Sequence, residues 1–468
     1  MALLRGSLRP RPLTVGGVVD ALGSAEHAQR GGRGLAPLIA PEARLEVVAE
    51  GLEGSLTAPL WRHDPALGRG YLLFSQVDRN RLWRWEEGGG AFTIGRSLFL
   101  DLAGCHPSVL RALHRGVPSG VPGGVPGGGG GTGGGGVAPT SCVGMAGGGA
   151  VSLGLAAAFD SCGGGGGGPA PLLVAEGGNR RVVRVEADGS RTVLASRPLV
   201  AGGVGSAALA PDGTALFFTA LPPHPPHGGD RSGGGESESE SEGHLDTAWL
   251  MRVAMPVPGA TDDGGGGGGG GGPAVRVGVL GSARAGGLAV SGDVLLCGDS
   301  DGGGAGGGDS GGARRPVLRA FNLTAALELP AGASAGPTSA YSPLVSSRVF
   351  AVLGGDAGAG VGGGSGGVEA GDGIANDVDV GEGVGVGGVA VDLAGNVFVA
   401  LGTGGGVAVL DAEGRRRGTI DAGGGGDGAF ASTGVAVGDD GFLYVTAGSP
   451  GAGSSVLRVA SRAQPRCK

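Results

Sequence analysis

The chain has 468 residues and a net charge of −8 at pH 7, and its positive charge is almost all arginine, since Lys468 is the single lysine. No basic patch interleaved with aromatic residues is present, which argues against a nucleic-acid partner. No apolar run is long enough to span a membrane. The five cysteines include no Cys-x-x-Cys pair, which indicates free thiols in a reducing compartment rather than a disulfide framework or a zinc site. They are Cys105, Cys142, Cys162, Cys297 and Cys467.

Residues 1–42 form an N-terminal segment that contains Arg5, Arg9 and Arg11 and no acidic residue before Asp20. This composition is similar to that of an organelle transit peptide, and it lacks the apolar core of a secretory signal. The other interpretation is a plain disordered tail. We therefore expect a disordered segment in front of the folded domain of a cytoplasmic or organellar protein, rather than a secreted one.

Strand patterns begin with Leu45-Glu46-Val47-Val48 and are clearest at 172–197. That stretch contains an apolar run, an alternating run and a third run, separated by turns at 177–179 and at Asp188-Gly189. Alternation with a period of two indicates a strand with one buried face. Asp-Gly between two such runs indicates a hairpin. The stretch is therefore predicted to form three antiparallel strands.

The same strand pair occurs six times in all. The other pairs are 71–75 with 81–85, 216–220 with 249–253, 295–297 with 317–321, 397–400 with 407–411, and 443–446 with 456–459. Most copies have a further strand in front and another behind, so that each unit is a four-stranded meander. Repetition of such units predicts a β-propeller. The last copy lacks a fourth strand, and the strand at 44–50 is predicted to close the ring by pairing with it.

We therefore predict an all-β fold, a six-bladed β-propeller of four-stranded antiparallel blades at 43–460, followed by a C-terminal tail at 461–468. The expected blades are 56–101, 151–197, 204–281, 286–354, 386–421 and 433–460, the last completed by the strand at 44–50. Many of the 113 glycines lie in runs that cannot bury enough apolar surface to offset the entropy lost on ordering. Long, glycine-rich, disordered insertions are expected at 123–136, 163–168, 264–272 and 302–312.

Three shorter motifs are best explained as loop sequence. Gly308-Asp309-Ser310-Gly311-Gly312 spells the nucleophile loop of trypsin-like proteases, but no histidine has the sequence context of that family's base. The acidic block at 236–242 is expected to be a solvated loop, with a phosphorylated docking site as the alternative. Asn322-Leu323-Thr324 is a glycosylation sequon that matters only in a secreted protein.

Taken together, these stretches resemble the SMP-30/gluconolactonase/LRE-like family. The resemblance spans about 45–459 and rests on 58–61, 72–85, 172–197, 212–219, 389–400 and 438–448. It implies a six-bladed propeller whose active members hold calcium or zinc at the axis and open sugar lactones. In such a site the ion polarises the lactone carbonyl and activates water, while a carboxylate assists proton transfer.

The positions that match the family's ligands carry no carboxylate or amide. The metal-binding glutamate of the family's Glu-Gly-Pro-x-Trp motif falls on Thr57, within Thr57-Ala58-Pro59-Leu60-Trp61. A hard dication would not recover its lost water shell from such residues, so we expect no catalytic, metal or cofactor-binding residue among them. The matching positions in blades 2 to 5 are Leu153, Gly205 with Ser206, Gly286, and Gly387 with Gly388.

The leading hypothesis is a propeller that has lost an ancestral metal-dependent lactonase site and serves as a binding or scaffold protein. Its partner would be an unknown small molecule or protein at the axis or top face, with no nucleic acid and no membrane. The alternative is an active lactone or ester hydrolase that holds calcium or zinc through residues outside the alignment, namely Glu53, Asp377 and Asp379. A third hypothesis is a protein-binding propeller of the NHL type, with apolar and arginine-rich top loops and no axial pocket.

Overall fold

The computed structural model describes most of the strand-forming sequence. The described residues are 34–40, 43–52, 54–64, 68–77, 81–87, 94–101, 155–157, 172–176, 181–185, 191–195, 204–220, 248–255, 274–280, 286–301, 315–330, 345–353, 385–402, 406–420, 431–449 and 453–465. The four glycine-rich insertions expected from the sequence lie outside these ranges, as does the acidic block at 236–242. No helix in these ranges is long and apolar enough to cross a membrane.

Six four-stranded antiparallel sheets account for all the strands in these ranges. The first strand, β1 (Leu45–Leu52), belongs to the last sheet. Blade 1 contains β2 (Leu56–Asp64), β3 (Arg69–Gln76), β4 (Arg81–Glu87) and β5 (Ile94–Asp101). Blade 2 contains β6 (Leu155–Ala157), β7 (Leu172–Glu176), β8 (Arg181–Val185) and β9 (Arg191–Ala195). Blade 3 contains β10 (Val204–Leu209), β11 (Ala215–Ala220), β12 (Trp249–Ala254) and β13 (Val275–Val279).

The remaining blades repeat this order. Blade 4 contains β14 (Leu288–Ser291), β15 (Val294–Asp301), β16 (Arg315–Asn322) and β17 (Ser347–Val352). Blade 5 contains β18 (Val389–Val391), β19 (Val397–Ala400), β20 (Val407–Leu410) and β21 (Arg416–Ile420). Blade 6 contains β22 (Ala431–Val437), β23 (Phe442–Ser449), β24 (Gly453–Ala460) and, as its outermost strand, β1.

The six sheets form a closed ring. The innermost strands β2, β6, β10, β14, β18 and β22 each contact the innermost strand of the next blade, and β2 contacts β22. β1 pairs with β24, with Leu45 opposite Val459. The prediction of a six-bladed propeller closed by the first strand is therefore confirmed.

The hydrophobic core lies between the blades. On β3, Leu72 and Phe74 pack with Tyr444 of blade 6, whereas Leu73 packs with Val174 of blade 2. Both faces of the middle strands are covered by neighbouring sheets, so these strands are continuous apolar runs. β11 is buried at every position.

The folded region extends beyond the boundaries expected at residues 43 and 460. Leu35, Leu38 and Ile39 are buried in the core between blades 5 and 6, although they lie in the segment expected to be disordered. Ile39 forms a β-bridge with Ser461. Ala463, in the expected tail, is buried in the same core. The segments 34–40 and 461–465 therefore pack on the ring, because their apolar side chains lie in the core between these blades.

Every outermost strand has a register shift relative to the strand beside it, which is the signature of a β-bulge. A bulge increases the local twist and makes an exposed edge a poorer template for pairing. The residues within the shifts are apolar in five blades and an arginine in blade 5. They are Phe99, Leu194, Val277, Phe350, Arg417 and Val48, in the order of the blades.

A short helix that the sequence analysis did not predict, α1 (Leu323–Leu327), follows β16. Asn322 caps its N-terminus by accepting a backbone N–H of the first turn. At the other end, Arg252 of blade 3 donates to the carbonyl oxygens of Ala326 at 3.0 Å and Leu329 at 2.5 Å. A cation is favourable beside the free carbonyls of a helix C-terminus. The helix therefore fastens blade 3 to blade 4.

Candidate functional site

The positions that match the family's ligands meet where the innermost strands begin, a region that we call the hub end. Thr57 lies in β2, and Gly205 with Ser206 lies in β10. Gly286 and Gly387 each lie two residues before an innermost strand, β14 and β18 respectively. The resemblance therefore identified residues that share one region of the fold. Leu153 lies outside the described residues.

Hydrogen bonds link blades 3, 4 and 5 directly at the hub end. The Ser206 hydroxyl oxygen accepts the backbone N–H of Leu288 at 3.0 Å. The backbone N–H of Gly287 donates to the carbonyl oxygen of Gly387 at 2.6 Å. Blades 3 and 4 are thus joined through a serine hydroxyl, and blades 4 and 5 through backbone atoms alone.

Blade 6 continues this network to blade 1 through Thr433, a residue that the sequence analysis did not single out. Its carbonyl oxygen accepts the N–H of Gly388 at 3.1 Å. Its hydroxyl lies 2.5 Å from the carbonyl oxygen of Leu56 and 3.0 Å from the hydroxyl of Thr446. Thr433 could have been predicted from the repeat, because it lies near the beginning of the sixth innermost strand, where the matched positions of the other blades lie.

The glycines at the hub end are enclosed by backbone atoms of neighbouring strands. A Cβ added to Gly286 would lie 2.5 Å from the carbonyl oxygen of Val386, and one added to Gly387 would lie 2.8 Å from that of Thr433. Both distances are shorter than any normal carbon–oxygen contact. The same close approach of backbone atoms occurs at Gly287 and Gly388. Glycine is needed here because the strands approach too closely for a side chain.

Blade 1 reaches the hub end through a strained backbone. Ala58 has a φ of 49°, and it is the one residue other than glycine with a positive φ among the described residues. The preceding Thr57 donates its hydroxyl to the carbonyl oxygen of Thr433 at 3.4 Å. The family's motif has glycine at the position of Ala58, which suits a left-handed conformation that costs other residues about 1–2 kcal/mol.

Hydroxyl side chains on the second strands face the register shifts of β2, β10 and β22. Thr219 accepts the backbone N–H of Ser206 at 2.9 Å, and Thr446 lies within hydrogen-bond distance of Thr433. Ser75 occupies the corresponding place in blade 1, where its hydroxyl is buried without a hydrogen-bond partner in the described region. Two of the three hydroxyls therefore hold the inner strands in place.

The oxygen atoms at the hub end are suited to these internal bonds rather than to a divalent cation. At the matched positions they are carbonyl and hydroxyl oxygens, whereas a calcium or magnesium site gains most of its affinity from carboxylates. The buried carboxylate of Asp299, next to the Gly298 that bonds to Gly286 and Gly287, forms an ion pair with Arg319. Within the ranges that the structure describes, no three His, Cys, Asp or Glu side chains form a group that could hold a metal ion. Glu53, Asp377 and Asp379, the ligands of the alternative hypothesis, lie outside those ranges.

No protein-family model matches the chain, and no curated protein matches it in sequence. The chain does resemble several solved structures, at low identity. A gluconolactonase from Xanthomonas campestris is 16% identical with a TM-score of 0.47, covering 97% of this chain and 96% of that one. Regucalcin, a calcium-binding protein from Agrobacterium tumefaciens, is 13% identical with a TM-score of 0.45, covering 90% and 96%.

A luciferin-regenerating enzyme is 12% identical with a TM-score of 0.43, covering 91% of this chain and 98% of that one. These proteins are of the kind that the sequence resemblance names. At such identities and TM-scores, the likeness concerns the fold. The chemistry of this chain has to be argued from its own residues.

Proposed function

We propose that this chain is a non-catalytic propeller, derived from metal-dependent lactonases, that works as a binding or scaffold protein. The proposal combines the sequence resemblance with the closed packing of the hub end. The partner class that fits this role is a protein or small molecule bound by the outer surfaces or the top face. The described hub end has no carboxylate at the positions that would hold an ion or move a proton.

The observation that carries the proposal is the contact at Gly387. The matching position in the family holds a carboxylate, but here a Cβ would lie 2.8 Å from the carbonyl oxygen of Thr433. A carboxylate could be placed there only if the inner strands of blades 5 and 6 moved apart. Because Gly388 N–H and Thr433 O join these strands at 3.1 Å, that movement would break a backbone hydrogen bond.

Hydrolysis of gluconolactone by the full chain tests the proposal. With calcium or zinc added, we expect a rate that rises linearly with substrate and equals the uncatalysed rate in the same buffer. Saturable hydrolysis would refute the loss of catalysis. If it appears, the double variant Asp377→Ala/Asp379→Ala should abolish it when the alternative ligand set is correct. Hydrolysis that survives in the double variant would place the ligands elsewhere.

A further inference from the structure

The core between blades 1 and 6, which we call the closing seam, contains a buried donor that the described residues leave without an acceptor. The side chain belongs to Trp85 on β4, which is 3% exposed. Its ring packs at a tilt on the ring of Tyr444, with the centroids 5.9 Å apart. A buried indole N–H of this kind is unfavourable unless an acceptor that enters from solvent satisfies it.

Blade 6 brings a second such donor to the closing seam. The guanidinium carbon of Arg458, on β24, lies 5.7 Å from the Trp85 ring centroid and 4.2 Å from that of Phe442. Its Nε donates to Glu46 at 2.8 Å and its Nη2 donates to Glu87 at 3.1 Å. The remaining nitrogen, Nη1, is buried and has no hydrogen-bond partner in the described ranges. Each blade therefore contributes one donor that lacks an acceptor.

The hydroxyl oxygen of Tyr444 supplies an acceptor beside these donors. Tyr444 on β23 lies directly opposite Arg458 on β24, and its ring contacts Trp85. Its hydroxyl donates to Asp440 at 2.5 Å, which leaves lone pairs on the oxygen that can accept a hydrogen bond. The closing seam thus offers two donors and one acceptor to a small polar molecule.

Water suits this combination better than an anion does. A buried water makes about three hydrogen bonds, and it both accepts and donates. With bonds of about 2.9 Å, one water joins two donor nitrogens that are up to about 5.8 Å apart. The distance of 5.7 Å between the Trp85 ring and Arg458 is of this size. An anion is disfavoured, because Glu46 and Glu87 already neutralise Arg458.

We propose that the closing seam binds one internal water molecule. The water accepts hydrogen bonds from Trp85 Nε1 and Arg458 Nη1 and donates one to the Tyr444 oxygen. It fastens β4 of blade 1 to β23 and β24 of blade 6, next to the pairing of β1 with β24 that closes the ring. These three side chains are not among the hub-end residues, so the inference does not depend on the proposed function.

Nuclear magnetic resonance of the full chain with isotopically labelled tryptophan tests the inference, because the chain has only four tryptophans and therefore four indole N–H signals. Trp85→Phe identifies the signal of Trp85 by removing it. If that variant does not fold, Trp61→Phe, Trp83→Phe and Trp249→Phe identify it by elimination. Overhauser effects from water, measured in the laboratory and rotating frames, have opposite signs for a long-lived bound water and the same sign for proton exchange with solvent.

We expect the Trp85 signal to show effects of opposite sign. Trp83 is the control on the same strand, because its N–H donates to Gln76 at 2.9 Å, and it should show no such pair of effects. Arg458→Met keeps an apolar stem beside Phe442 and should lower the Trp85 effect about twofold or more, because the water keeps two bonds instead of three. Arg44→Met removes an exposed arginine before β1 and should leave the effect unchanged.

Four results would overturn the proposal. One is an assigned Trp85 signal without the two effects of opposite sign. Another is an equal effect at Trp83, which would indicate surface hydration. A third is an unchanged Trp85 effect in Arg458→Met, which would exclude the arginine as a partner of the water. The fourth is a Trp85 signal that shifts and saturates as sodium chloride is added, since that would assign the two donors to an anion.

Discussion

At the hub end, Ala58 occupies a position where the motif of the family that the sequence resembles has glycine, and its φ is 49°. A positive φ suits glycine, because an L side chain in that conformation crowds the following carbonyl oxygen. Alanine is held there by its surroundings. Thr57 on one side bonds to Thr433, and Pro59 on the other side has a φ fixed by its ring.

Ala58→Gly should therefore raise the free energy of unfolding by about 0.5–1 kcal/mol, after the greater flexibility of glycine in the unfolded chain is counted. Chemical denaturation measures this change. Gly213→Ala is the reverse control, since Gly213 has a φ of 73° with nothing near an added Cβ, and it should lower stability. A loss of stability in Ala58→Gly would mean that the strain is absent.

Gly387 provides a second residue-scale test, with a matched control two residues away. Gly387→Ala should lower stability by about 1–3 kcal/mol, because its Cβ would overlap the carbonyl oxygen of Thr433. Gly385→Ala should be nearly neutral, since nothing lies within 4 Å of a Cβ added there. Equal effects of the two substitutions, measured by denaturation, would contradict the close packing at the hub end.

Asp440 links stability to pH. Partial desolvation raises the pKa of its carboxyl although the residue as a whole is exposed, and this outweighs the bonds that it accepts from the Tyr444 hydroxyl at 2.5 Å and from the N–H of Phe442 at 3.2 Å. A carboxyl with a raised pKa in the folded state favours folding at low pH and loses that contribution as pH rises through its folded pKa. Asp440→Asn should therefore gain stability relative to the natural chain between about pH 4 and pH 7.

Denaturation of both proteins across that pH range measures the difference. Tyr444→Phe is the informative comparison, because removing the hydroxyl removes a bond that lowers the pKa of Asp440. The pH dependence of its stability should be steeper than that of the natural chain. A flat difference between Asp440→Asn and the natural chain would show that this carboxyl is not desolvated.

At the scale of the strand, Arg417 is the exception among the bulge residues of the outermost strands, because the other five are apolar. Val48, Leu194 and Val277 at the corresponding positions are buried, at 5%, 3% and 0% exposure. Arg417 has a buried Nε without a hydrogen-bond partner among the described residues. A buried donor without an acceptor costs about 1–3 kcal/mol.

Arg417→Leu should therefore stabilise the protein by about 1 kcal/mol or more, through removal of that donor and burial of an apolar side chain. Thermal denaturation measures the shift. Arg416→Leu is the control on the preceding residue, and it should bring no gain because it removes the bond to Thr419. Equal stabilisation by both variants would reflect loss of charge rather than repair of the bulge.

The strands could be predicted from the sequence because apolar runs and turn residues are local signals that six copies repeat. Alternation predicted one buried face on β8, but both faces are buried, since Val182, Val183 and Val185 all have 5% exposure or less. Sheets on both sides of a blade cover both faces, which a single strand pattern does not reveal. The capping contacts of α1 were also missed, because Arg252 is distant in sequence from the helix end that it stabilises.

At the scale of the whole molecule, the segments around β1 and β24 close the ring together. β1 supplies the missing outer strand of blade 6, and Leu38 accepts the backbone N–H of Arg462 through its carbonyl oxygen at 2.8 Å. The segment around Leu38 has no strand period and follows a glycine- and arginine-rich stretch, so its burial could not be predicted from local pattern. Which residues meet at the hub end could be predicted, because the repeat places them in register. How closely their strands approach could not, since that distance depends on contacts between blades.

The proposed function requires that the hub end be closed by its own hydrogen bonds and hold no catalytic ion. The most direct measurement is the metal content of the purified chain after exposure to calcium and zinc and dialysis into metal-free buffer, by inductively coupled plasma mass spectrometry. We expect far less than one ion of either metal per chain, because the matched positions offer carbonyl and hydroxyl oxygens already used in hydrogen bonds, and the nearby Asp299 carboxylate is paired with Arg319. One tightly held calcium or zinc ion per chain would contradict the claim.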